Sequence, residues 1–109
     1  MERKYNKLVR DKIPEIIEKN GEKPYIKILE DNEYKMELEK KLLEEYNEVL
    51  KTESSEERVE ELADMIEVIN SLATLENKSL EDVIKIANNK REKRGGFDKK
   101  IFLEKVERM

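Results

Sequence analysis

Through the middle of this chain apolar residues return every third or fourth position between charged ones, and that rhythm commits the segment to amphipathic helices. One stripe runs Leu38, Leu42, Tyr46, Val49 and Leu50; the next runs Val59, Leu62, Ala63, Ile66, Ile69, Leu72 and Ala73. Charged residues make up 46% of the chain, which would signal disorder if the apolar residues were scattered. Their helical spacing argues instead for a folded protein with solvated outer faces.

Local punctuation divides the chain into four helices. Ile13, Ile16 and Ile17 share a face behind Pro14, which a first turn tolerates, and Asn20-Gly21 supplies a left-handed stop. Asp31 or Asn32 caps a long second helix that ends near Thr52. Ser54 with Glu57 three residues on resembles a capping box for a third helix stopping near Asn77. Ser79 with Asp82 opens a fourth through Leu80, Val83, Ile84 and Ala87, and Gly95-Gly96 ends it after Arg94. Two stretches are rich in β-formers, Tyr25-Ile26-Lys27-Ile28-Leu29 and Ile101-Phe102-Leu103, and they read as extended segments that pair with each other. The expectation is an all-α antiparallel helical bundle, one domain over 1–109, with the 25–29 segment paired to the C-terminal tail. At 109 residues with 6% aromatics the core is modest, so self-association as a homodimer or homotetramer is expected.

No apolar run is long enough to cross a bilayer and the opening residues lack a signal-peptide core, so a cytoplasmic protein without membrane contact is expected. The chain has no cysteine and no histidine, so any metal site must be built from oxygen. Charge is segregated. Residues 30–67 carry 15 acidic and 5 basic side chains, net −10, whereas 1–29 (5 and 8) and 68–109 (7 and 10) are each +3. An acidic centre between basic flanks suits a cation-bound polyanion and not duplex nucleic acid. Charge alone is better explained by plain solvated helices.

On a helical wheel Glu45 lies at the edge of the second helix's apolar arc, with Glu48 one turn on. The third helix has an apolar arc of roughly 220° at about 100° per residue, and Glu61 lies inside it between the directions of Val68 and Leu72, with Asp64 at its border. A carboxylate enclosed there must be paired, metal-bound or protonated. On the fourth helix the stripe Leu80, Val83, Ala87 turns cationic at Lys90 and Arg94. Such side chains either snorkel at the helix end or reach phosphate oxygens.

Glu45-x-x-Glu48, a spacer, then Glu61-x-x-Asp64 resembles the signature of the MazG-like all-α nucleoside triphosphate pyrophosphohydrolases. Ala87-Asn88-Asn89-Lys90 with Arg94 is similar to a later element of that family. The stretch from Tyr5 to Pro14 and the Arg94-Gly95-Gly96-Phe97 turn resemble a small single-domain branch. The resemblance implies Mg²⁺, with Mn²⁺ as substitute, held by Glu45, Glu48, Glu61 and Asp64. It further implies attack of water on the α-phosphorus to give a monophosphate and pyrophosphate. Glu48 and Glu45 are the candidates for activating that water, with Glu44 behind them. Lys7, Arg10, Asn88, Lys90 and Arg94 would hold phosphates. Two other readings stay open: a phosphoribosyl-ATP pyrophosphohydrolase, which shares the quartet, and a non-catalytic helical dimerisation module in which Glu61 pairs with a lysine.

Overall fold

In the computed structural model, which describes residues 2–109, helices form wherever the apolar rhythm and the caps agree. They are α1 (Ile13–Lys19), α2 (Asp31–Lys51), α3 (Ser55–Leu75) and α4 (Leu80–Arg94), and there is no strand among the described residues. The all-α class is as expected from the sequence.

The helix ends show why the boundaries fall where they do. Gly21, at φ 83°, closes α1 in a Schellman motif, with its own N–H on the Glu18 carbonyl and the Glu22 N–H on that of Ile17. The same motif stops α3 at Leu75, two residues before the expected end, because Asn77 takes the left-handed conformation (φ 58°) and the Lys78 N–H returns to the Ala73 carbonyl at 3.0 Å. At the start of α3 the Ser54 hydroxyl accepts from the Glu57 N–H at 3.1 Å, while the Glu57 carboxylate reaches back to the N–H of Glu53. A full reciprocal box, Ser79 with Asp82, opens α4. By contrast α2 starts after Glu30 with no side-chain cap, so neither Asp31 nor Asn32 acts as one.

Only Thr52, Glu53 and Ser54 separate α2 from α3, so the two 21-residue helices fold back as an αα-hairpin about 31 Å long. The buried core lies in this hairpin: Leu38 and Val49 from α2, Val68 and Ala73 from α3. Its turn end is tied by Arg58, which donates to the Val49 carbonyl at 3.2 Å. α4 packs only on α3, chiefly through its first turns, and from Ile84 onward it is exposed. α1 packs on no other helix.

One expectation fails here. Residues 25–29 and 101–103 are both without regular structure, and among the described residues neither makes a backbone hydrogen bond. Their sequences favour a ladder, but the chain does not bring them together. The radius of gyration is 18.7 Å, against about 13 Å for a compact domain of this length.

With the core confined to a few hairpin contacts, Leu38→Ala should lower unfolding stability by about 2–5 kcal/mol, and Ser79→Ala, which removes one cap, by about 1 kcal/mol. Urea titration of each variant checks both; a smaller loss for Leu38→Ala than for Ser79→Ala would contradict the hairpin as the main core.

Candidate metal centre

Helix periodicity sets the acidic site on the hairpin. Seven residues from Glu45 along α2 is Leu38, and seven from Glu61 along α3 is Val68, so antiparallel helices place this aliphatic pair two turns from the carboxylate pair. Burial of Leu38 and Val68 thereby fixes the register that makes Glu45 and Glu61 face each other. Asp64, one turn beyond Glu61, joins them: carboxylate oxygens of Glu45, Glu61 and Asp64 all lie within 4.8 Å of one another.

Glu48 stands apart from this trio. It is about half exposed, reaches Lys51 only at 3.9 Å and lines a shallow cleft with Glu57, Glu60 and Glu61. The cleft holds about 170 Å³, less than the roughly 300 Å³ at the low end of ligand pockets. This cleft by itself therefore does not enclose a nucleotide.

Glu61 is half-buried, not enclosed as its place in the apolar arc suggests. The α3 face that carries it is only partly covered in one chain, and Ile66 and Leu62 on that helix are exposed too. Its carboxyl is nonetheless held above the ordinary glutamate range, first by loss of water, then by the negative charges of Asp64 and Glu45, a hydrogen bond with Glu45, and the charge of Glu48. Repulsion within the cluster is thus felt at this residue.

Cations of the same chain meet part of that repulsion. Arg10 donates to Asp64 at 2.8 Å, and Lys7 to Glu44 at 3.2 Å. Lys41, which the sequence analysis did not single out, sits between Glu44 (3.3 Å) and Glu45 (3.6 Å) with its side chain only 17% exposed. Its spacing of three and four residues from those glutamates was the available signal. For Glu44, burial pulls the carboxyl upward, but the hydrogen bonds from Lys7 and Lys41 outweigh it and hold the group below its usual value.

Asn88, Lys90 and Arg94 lie on the exposed part of α4 and make no side-chain hydrogen bond or ion pair among the described residues. The structure therefore brings together Glu45, Glu61 and Asp64, with Glu48, Glu44, Lys7 and Arg10 at the margin, and leaves the α4 cations outside. No helix among the described residues is long and apolar enough to cross a membrane.

The donor set fits a hard divalent cation. All three candidate ligand atoms are carboxylate oxygens, the donor type that magnesium prefers, and they lie within 4.8 Å of one another, so one cation could be shared among them. Comparison with models of known families, with curated proteins and with solved structures finds no match to the chain.

The raised carboxyl of Glu61 makes a signed prediction for metal-free protein. The folded state holds that proton more tightly than the unfolded state, so its contribution favours folding at acid pH and is lost as pH rises through the raised value. Glu61→Gln should melt above wild type at neutral pH in EDTA, and the difference should shrink toward about pH 4, where wild-type Glu61 is itself protonated. A constant offset across that range would contradict the electrostatic cause.

Proposed function

We propose that the chain is a magnesium-dependent nucleoside triphosphate pyrophosphohydrolase, cleaving an NTP or dNTP between the α- and β-phosphates. The observation that carries this reading is the convergence of Glu45, Glu61 and Asp64 across the α2–α3 hairpin. It is the set that the MazG-like resemblance marks as metal ligands. The reading makes the chain a MazG-like bundle working as a cytoplasmic homodimer or homotetramer.

Glu45, Glu61 and Asp64 would hold the cation, with Glu48 as fourth ligand or base. A magnesium ion held by these carboxylates would supply charge neutralisation for the phosphates and a lowered pKa for water. Half-exposed Glu48, outside the tight trio, is free to take a proton from the attacking water. A bond forms from that water's oxygen to the α-phosphorus, the bond from the α-phosphorus to the bridging oxygen breaks, and pyrophosphate departs. Arg10 and Lys7 meet Asp64 and Glu44 in the absence of nucleotide; both pairs are exposed ion pairs, worth about 0–1 kcal/mol, so phosphate oxygens can compete for those cations. Asn88, Lys90 and Arg94 would add phosphate contacts. Since the cleft beside the acidic trio is shallow, a second chain would complete the pocket.

Incubation with nucleoside triphosphates and Mg²⁺ should release monophosphate and pyrophosphate, with Mn²⁺ substituting and EDTA abolishing the reaction. Glu61→Gln should lose turnover by a factor on the order of a hundred and lose most of the thermal stabilisation that Mg²⁺ gives the wild type. Diphosphate and orthophosphate as sole products would overturn the bond assignment. If Glu61→Gln left the Mg²⁺ response intact, Glu61 would be a structural residue and the helical dimerisation module would be the better reading.

A further inference from the structure

Two segments of this chain are built like strands and left without partners. Residues 25–29 precede α2, and the tail beyond Gly96 follows α4. Their apolar side chains stand in solvent: Tyr25 is 86% exposed, Ile28 88%, Phe102 86% and Val106 79%. Residues 25–29 and 101–106 have no backbone hydrogen bond, and no hydrogen bond or ion pair joins them within the chain among the described residues. Unpaired backbone beside β-forming side chains is a template for strand addition.

The two segments are complementary in sequence. Set antiparallel with Lys27 opposite Glu104, they bring Tyr25 to Val106, Ile28 to Leu103 and Leu29 to Phe102. This alignment leaves one mismatched pair, Ile26 opposite Lys105, whereas slipping by one residue leaves three: Lys27/Lys105, Ile28/Glu104 and Tyr25/Glu107 in one direction, and Tyr25/Lys105, Ile26/Glu104 and Lys27/Leu103 in the other. Lys27 is free to move: its present contact with Glu33 is an exposed pair at 3.7 Å, and Glu104 has no ion pair among the described residues. Pro24, lacking an N–H, bounds the ladder at one end.

We propose that residues 102–106 of one copy pair with residues 25–29 of a second copy, so that two chains exchange C-terminal arms. The occupant is a second copy because each chain carries both halves of the match without joining them. The exchange also covers the exposed aromatic and aliphatic side chains of both segments.

The chain has no cysteine, so engineered thiols report pairing without background. Ile28→Cys and Leu103→Cys, carried on separate full-length chains and co-expressed, should form one disulfide between chains under mild oxidation. The same two substitutions in one chain should give covalent dimers. An intrachain disulfide in that double variant, self-linking of either single variant as the main product, or no disulfide at all would overturn the proposal. The register has its own test in Lys27→Glu and Glu104→Lys. Each alone should weaken dimerisation in analytical ultracentrifugation by about fivefold, as for like charges directly opposed across strands, and the two together should restore it. Additive weakening in the double variant would overturn the alignment.

Discussion

The register of the α2–α3 hairpin is the constraint from which the rest of the molecule follows. Leu38 and Val68 lock the helices at one level, and two turns away that lock holds Glu45 opposite Glu61 whether or not their charges favour it. Aliphatic packing of this kind is worth several kcal/mol, more than the repulsion among partly solvated carboxylates, so packing wins and the charges are carried as a strain. The chain then meets the strain locally. Lys41 is laid along α2 between two of the acids, and the segment before α1 folds across to put Arg10 on Asp64.

Much of the architecture was legible in the sequence because it is set by neighbours a few residues apart. Ser54, Ser79, Gly21 and Gly95 act through backbone groups within one turn, and the helices they bound begin or end within two residues of the positions they imply. Asn77 is the instructive miss: an asparagine in a polar stretch gives no outward sign that it will adopt positive φ and end α3 early. At the site, Glu45, Glu61 and Asp64 were legible from wheel positions on adjacent helices. Lys41 was not, because a lysine among glutamates on an acidic helix is indistinguishable by pattern from an ordinary surface pair.

What the sequence misjudged shares one cause. The arc of α3 was read as enclosed, and the two extended segments as joined. Each assumes that the surfaces available to an element lie on its own chain. In the structure α4 leaves α3 after its first turns, Glu61 stays half open and the tail stands away. Periodicity reports which face is apolar; it carries no information about which molecule covers that face.

The three-residue link between α2 and α3 has a consequence for the order in which the protein acquires structure. Every carboxylate of the trio, and every buried core residue, lies within the 45 residues from Asp31 to Leu75, so their contacts close short loops. Loop closure on that scale costs little entropy, and helical hairpins with such local contacts form in microseconds to milliseconds. The acidic cluster therefore exists early, on a nascent hairpin that can emerge from synthesis before α4 is made. Counter-ions available at that moment, from Lys41 or from solution, screen the cluster while the chain is still incomplete, so ionic strength acts on the folding rate of this protein as well as on its final stability.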